Sequence, residues 1–248
     1  MARTLTAVAQ YGKHVFYEGE IAAAIVETIQ ELGGMLDTDD LAGHRSAWED
    51  PISTTYRDVR VWECSPNGQG IAALIALNIL EGFEISKLSA LGAERLHLVI
   101  ESLRLAFADA EWYVADPAFE PAPLDELLSK KYAAERRNLI NPQKATADVN
   151  RGAPTTRSDT VYLTTVDAQG NACSFINSNY VGIGTGIVPS GWGFSLQNRG
   201  HNFSLDPQHP NALAPGKRPY HTIIPAMATR LDGSLFASFG VIGGIYAA

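Results

Sequence analysis

Two cysteines in 248 residues, Cys64 and Cys173, are too few for a disulfide scaffold and stand in no metal-ligating or redox spacing. Both read as small buried apolar fillers. Long apolar runs are missing as well: none reaches the length of a membrane span, and Met1 to Lys13 lack the charged start and apolar stretch of a signal peptide. That absence favours a cytoplasmic location, with a periplasmic or secreted one left open. The net charge is −8, and no run of like charge extends beyond a few residues, which argues against nucleic acid or membrane as the main partner. Small molecules are the expected ligands. There is no G-x-S-x-G elbow, H-E-x-x-H pair, Walker A loop or dinucleotide fingerprint. The histidines, His14, His44, His97, His201, His209 and His221, are scattered without ligand spacing, so no metal and no cofactor are expected.

What is present suffices for a packed core, since 46% of the residues are hydrophobic. Gly19 to Gly34 places Ile21, Ile25, Ile29 and Leu32 at three- and four-residue spacing and ends on a glycine pair, which predicts an amphipathic helix. Asp37, Asp39 and Asp40 could in principle hold a metal, but they read better as caps of a short helix from Asp37 to Leu41. Ile52 to Glu63 is β-rich and runs through Asn67-Gly68-Gln69-Gly70 into a helix over Ile71 to Leu80. Gly70 invites a phosphate-cradle reading, yet the Walker spacing and lysine are absent and a tight turn is preferred. Ala93 to Val114 predicts a longer helix with Leu96, Ile100, Leu103 and Phe107 as its core stripe. Pro121 to Asn141 reads as a further short helical stretch, and Asn141 to Ser158 as an exposed linker suited to cutting. Thr160 to Val166 and Asn171 to Asn177 form one hairpin, and Thr222 to Arg230 with Ser234 to Phe239 a second, separated by a glycine-rich loop over Gly182 to Gly193. Helices first and antiparallel strands later give an α+β sandwich.

One position carries chemistry. Thr160 opens a strand directly after the polar linker Arg157-Ser158-Asp159. If the bond between Asp159 and Thr160 is cut, the threonine hydroxyl sits beside its own new α-amine, whose ordinary pKa of about 7.7–8.0 makes it a competent base at neutral pH. On periodicity alone the residue is a plain strand threonine.

The chain resembles the gamma-glutamyltranspeptidase family of N-terminal-nucleophile hydrolases. The resemblance is carried by Asp159-Thr160-Val161-Tyr162, Val166-Asp167, Gly170-Asn171, Gly184-Thr185-Gly186-Ile187-Val188, Leu196-Gln197-Asn198, Phe203-Ser204, Lys217-Arg218-Pro219, Pro225, Gly240 and Gly243-Gly244. Upstream it is carried by Pro66 to Gly70 before Ile71 to Gly82, by Phe107-Ala108-Asp109 and by Asp116-Pro117. It implies a four-layer αββα sandwich, here incomplete at both ends. Residues 1–159 would be the end of a large subunit and residues 160–248 the start of a small one, with self-cleavage between them and acyl transfer through a threonyl ester. Thr160 matches the nucleophile and Ser178 the hydroxyl that orients it, while Gly243 and Gly244 match the pair whose N–H groups hold the oxyanion. That glycine pair also fits a simple turn.

At the substrate positions, Tyr180 stands where well-known members have asparagine, Arg199 where they have glutamine, Asn202 where they have aspartate, and His221-Thr222 where they have a serine pair. A neutral asparagine binds an ammonium less well than a carboxylate does, which weakens the case for glutamyl specificity. The pattern resembles the branch that includes glutamyl hydrolases of uncertain substrate and cephalosporin-type acylases, and it favours amide hydrolysis over transfer. Arg199 and His221 are candidates for an acidic acyl group, with a surface arginine and a hydrogen-bonded histidine as the plain alternatives. The implied partners are a small acyl-amide substrate and the two processed subunits, a homodimer of these being left open. Two outcomes remain: a self-processing amidohydrolase, or an inactive or structural fragment never cut at Thr160.

Overall fold

The computed structural model describes residues 1–146 and 160–243. Asp159 and Gly244, and the linker residues from 147 onward, lie outside the described residues. The chain divides into two compact units, Met1–Trp48 with Asn179–Asn198, and Glu49–Ser178 with Arg199–Ala248.

The first unit holds helices α1 (Ala2–Tyr11), α2 (Lys13–Tyr17), α3 (Glu20–Glu31) and α4 (Thr38–Ala42). Ile21 and Ile25 of α3 are buried with Trp192, and Val15, Phe16, Phe194 and Leu196 pack around them. Leu32 falls beyond the helix end and is exposed. The acidic cluster caps α4: Asp37 Oδ1 accepts from the backbone N–H groups of Asp39 and Asp40, and the Asp37 N–H donates back to Asp40. A carboxylate at the N-cap and another at the third helical position satisfy the free donors of the first turn reciprocally. Among the described residues no group of His, Cys, Asp and Glu could hold a metal, and no helix is long and apolar enough to cross a membrane.

The second unit begins with β1 (Ile52–Tyr56) and β2 (Val59–Glu63). The expected single run is therefore a hairpin, turned at Arg57-Asp58 with Arg57 in the left-handed region at φ 55°. The turn escapes notice in the sequence because neither residue is Gly or Asn. Then come α5 (Gly70–Leu80), α6 (Ala93–Tyr113), α7 (Leu124–Leu127) and α8 (Lys130–Arg137), followed by the hairpin β3 (Thr160–Val166) and β4 (Ala172–Ser178) and a last pair, β5 (Ile224–Arg230) and β6 (Leu235–Val241). One antiparallel sheet runs β1-β2-β5-β6, and β3-β4 form a separate two-stranded sheet.

Helix α5 lies on one face of the four-stranded sheet, with Leu74 buried against Val61 and Ala228. Its other side joins α6 and α8 in the main core, built around Ile71, Ile75, Ile79, Leu105, Phe107 and Ala133. The β3-β4 hairpin meets β6: the Thr164 hydroxyl donates to Ser238 Oγ at 2.6 Å, and the Ser174 hydroxyl donates to the Phe239 carbonyl at 3.1 Å. Gly240 is required there, since a Cβ would stand 2.6 Å from the Tyr162 ring and 2.9 Å from the Ile224 carbonyl. A helical layer, a sheet and a stacked hairpin follow from this packing.

Two expectations need correction. Of the expected stripe Phe107 is buried and Leu103 packs partly buried against the core, but Leu96 and Ile100 are exposed, and the buried face of α6 also carries Leu98, Glu101, Ser102, Leu105, Ala106, Asp109 and Ala110. Polar residues on the inner face displaced the apparent stripe. Glu101 is buried because it accepts from the Thr146 N–H at 3.0 Å, from the Thr146 hydroxyl and from Arg104, while Asp109 is paired with Arg136 at 2.8 Å. The cysteines are exposed, not buried: Cys64 lies just past β2, and Cys173 alternates outward on β4.

Candidate functional site

The β3-β4 turn sets the geometry. Asp167 Oδ1 accepts from the N–H groups of Gln169 and Asn171, Asp167 Oδ2 accepts from the Asn171 side-chain amide at 2.7 Å, and Gly170 takes φ 84°. A turn closed in this way fixes the register from Val166↔Ala172 through to Thr160↔Ser178. Residues directly opposite in an antiparallel pair share a face, so the two hydroxyls meet, Thr160 Oγ1 donating to Ser178 Oγ at 3.0 Å. A slip of one residue would put Asn177 or Asn179 opposite Thr160 and turn it to the other face.

Ser178 is held from its carbonyl side. The Arg199 guanidinium donates to the Ser178 carbonyl through Nη2 at 3.3 Å and to the Thr222 hydroxyl through Nη1 at 2.8 Å. Arg199 is only 3% exposed, which removes the surface-arginine reading. Thr222, buried, accepts at its carbonyl from the Gln69 side-chain amide at 3.1 Å. The Gln69 N–H donates to the His221 carbonyl, and the His221 N–H to the Asn67 carbonyl, each at 2.8 Å. Thus the Asn67-Gly68-Gln69-Gly70 loop is bonded to the segment carrying His221 and Thr222. Nothing in the sequence signals the Gln69 contact, which joins residues 153 apart.

Burial, aided by the nearby Arg199 charge, pushes the His221 pKa down to about 3. The imidazole is therefore neutral at physiological pH. Its Nδ1 accepts from the Ile223 N–H at 3.3 Å, which places the proton on Nε2. A hydrogen-bonded neutral histidine is what the structure shows. Asn202 donates its side-chain amide to the Tyr220 carbonyl at 2.9 Å and leaves Oδ1 buried with no partner among the described residues. Gly243 stands two residues past Val241, whose partner is Ile224, and Thr222 stands two residues before Ile224. Both leave the β5-β6 hairpin at the same end. Tyr180 belongs to the first unit, is buried, and holds the uncommon φ of 83°. The structure therefore links Thr160, Ser178, Arg199, Thr222 and His221 through bonds or adjacency.

Arg218 and Asp116, both within the quoted motifs, brace the unit. Arg218 donates through its backbone N–H at 2.8 Å and through Nη2 at 3.0 Å to the two Asp116 oxygens. Burial opposes ionisation of Asp116, but the bonds from Arg218 outweigh it and hold the carboxyl below its usual range.

Such a mixed α/β body, with a hydroxyl pair at the mouth of a stacked hairpin, defines the class of protein. Comparison with known proteins supplies the family: the sequence pattern described as gamma-glutamyltranspeptidase matches residues 1–247, and the chain belongs to that family. It is 38% identical over 244 residues to the glutathione hydrolase-like YwrD proenzyme of Bacillus subtilis, covering 98% of this chain and 46% of the relative. Identity is 33% to the oxamate amidohydrolase proenzyme of Klebsiella pneumoniae, at 98% and 45% coverage. The crystal structure of a cephalosporin acylase from Bacillus halodurans superposes with a TM-score of 0.89 at 47% identity, over 99% of this chain and 44% of that one. The chain spans less than half the length of these relatives.

Proposed function

We propose that the protein to which this chain belongs is a self-processing amidohydrolase in which Thr160, freed by scission of the Asp159–Thr160 bond, is the nucleophile and its own α-amine the base. The observation that carries the reading is the 3.0 Å bond from Thr160 Oγ1 to Ser178 Oγ. A second hydroxyl aligns the nucleophile's lone pair toward a carbonyl while the amine takes its proton. The protonated amine passes that proton to the departing amide nitrogen, which leaves as a free amine; a threonyl ester remains, and water hydrolyses it to the free acid and restores the Thr160 hydroxyl.

Stabilisation of the developing oxyanion falls to the backbone at Gly243 and Gly244, a task that needs N–H donors and close approach without a side chain. Packing along the hairpin supports this. Thr164 meets Ser238 and Tyr162 meets Gly240, so the same stepping carries Thr160 toward the end of β6 that leads into Gly243. The substrate class is a small acyl amide. Arg199 is committed inward and His221 is neutral, so neither supplies a free cation to an acidic acyl group. Asn202 Oδ1 offers an acceptor for a polar group on the substrate instead. The relatives' names, glutathione hydrolase-like, oxamate amidohydrolase and acylase, all describe amide hydrolysis. The finer architecture we assign is the four-layer αββα sandwich, of which the helical layer, sheet and hairpin are three.

Denaturing mass spectrometry of the full-length protein tests the reading. Wild type is expected as two pieces, one ending at Asp159 and the other beginning at Thr160, and Thr160→Ala as one uncut chain without amidase activity. An uncut wild type, or an active Thr160→Ala variant, refutes it.

A further inference from the structure

We propose that Arg199 is the positioning residue of the Thr160–Ser178 pair, acting on the nucleophile only through the end of β4. The inference rests on the proposed role of Thr160 and adds to it a residue that need not touch the substrate. The chain leaves the second unit after Ser178, runs through Asn179–Asn198 in the first, and re-enters the second at Arg199. Ser178 is therefore the last residue of a strand, paired by the ladder with Thr160 and followed by no further rung. Its partner Thr160 is the first residue of β3, and after the proposed scission it is a free chain end. Two strand termini are the least constrained part of a hairpin, yet the proposed chemistry needs their hydroxyls held at bonding distance.

Arg199 adds a constraint from outside the hairpin. One guanidinium arm accepts no proton but donates to the Ser178 carbonyl at 3.3 Å, and the other donates to the Thr222 hydroxyl at 2.8 Å. A planar fork fixes the separation and angle between its two acceptors, which a flexible ammonium does not do. Thr222 is itself held, being buried and accepting at its carbonyl from the Gln69 side-chain amide at the start of α5. The Ser178 carbonyl is thereby referenced to the main helical core through Arg199, Thr222 and Gln69. The neck of the excursion is closed from its own side as well, by the Asn198 N–H donating to the Asn179 carbonyl at 3.1 Å.

A double-mutant cycle in the full-length protein reads this directly. Arg199→Met is expected to lower kcat for an acyl anilide about tenfold to a hundredfold, the scale of a misplacement near 1 Å, with KM changed less than about threefold. Arg199→Lys, which keeps the charge but cannot span both acceptors, is expected to lose about threefold to tenfold. In a Ser178→Ala background both changes are expected to cost less than about twofold further, because the hydroxyl they position is gone. A rise in KM with kcat unchanged would make Arg199 a substrate contact and overturn the proposal. So would full additivity with Ser178→Ala. A readout independent of activity separates this claim from the Thr160 reading. In a crystal structure of Arg199→Met or Arg199→Lys the two hydroxyls are expected beyond about 3.5 Å, the usual limit of a hydrogen bond. Retention of the wild-type spacing refutes the positioning role even if the wild-type protein proves inactive.

Discussion

Glu63 ends β2 inside the core, 3% exposed, with Oε2 bonded to nothing among the described residues. It lies against the first residue of α5 so closely that a Cβ on Gly70 would stand 2.6 Å from Oε2. Burial pushes its pKa from 4.5 up to about 8. The folded protein therefore keeps a proton that the unfolded chain releases across this window. Stability is fully present below the unfolded pKa and is lost as pH rises through the folded one. Linkage gives a loss of about 3 kcal/mol between about pH 5 and about pH 7.5.

Glu63→Gln keeps the shape and removes the titration. Urea unfolding should be followed at both pH values in a Thr160→Ala background, so that the chain stays whole. The variant is expected to gain about 3 kcal/mol on the parent between pH 5 and pH 7.5. All other groups are common to the two proteins and cancel in the difference. A gap between parent and variant that is the same at both pH values would show that Glu63 is not a buried neutral acid.

Ser178→Ala is expected to slow acyl-anilide hydrolysis about tenfold to a hundredfold, and Ser178→Thr to restore most of it, since only the hydroxyl is needed. Steady-state kinetics of the processed protein decide this, and an unimpaired alanine variant would remove Ser178 from the mechanism. A glutaryl anilide is expected to be turned over faster than its gamma-glutamyl counterpart, because Asn202 offers a substrate ammonium a neutral acceptor where a carboxylate would pair with it. Equal or higher kcat/KM for the glutamyl compound overturns that ranking.

Much of the fold is legible where turn chemistry is local. Asp167 to Asn171 and Asp232-Gly233 announce their hairpins, and the spacing of Ile21, Ile25 and Ile29 announces α3, because the residues that decide each element lie within it. The inner face of α6 is not legible, since Glu101 and Asp109 become core residues only through Thr146 and Arg136 far along the chain. The same holds for the site. Thr160 is singled out by its place after the polar linker and Ser178 by family resemblance alone, whereas the bonds of Arg199 depend on Thr222, itself set by Gln69. Substitution of glutamine by arginine in the family pattern suggested a change of ligand charge. In the folded chain that charge is turned inward.

The position of the proposed cut also decides what processing can release. Strands β1 and β2 precede Thr160, and β5 and β6 follow it, yet all four form one sheet. The seam between upstream and downstream pieces is the β2-β5 ladder, from Val59↔Arg230 to Trp62↔Met227, with the Trp62 indole N–H donating to Thr229 Oγ1 at 3.0 Å. Beneath it, Val61 and Leu74 from upstream are buried against Ala228 from downstream. Arg218 and Asp116 add an ion pair across the same division. Scission before Thr160 removes one covalent link and none of these bonds, so the pieces are expected to co-elute on size-exclusion chromatography and to part only in denaturant. Because the ladder and its apolar layer carry the association, high salt is expected to leave it intact, screening only the exposed part of the ion pairing. Separation of the pieces in native buffer, or on raising salt alone, would show that the β2-β5 seam does not hold the processed protein together.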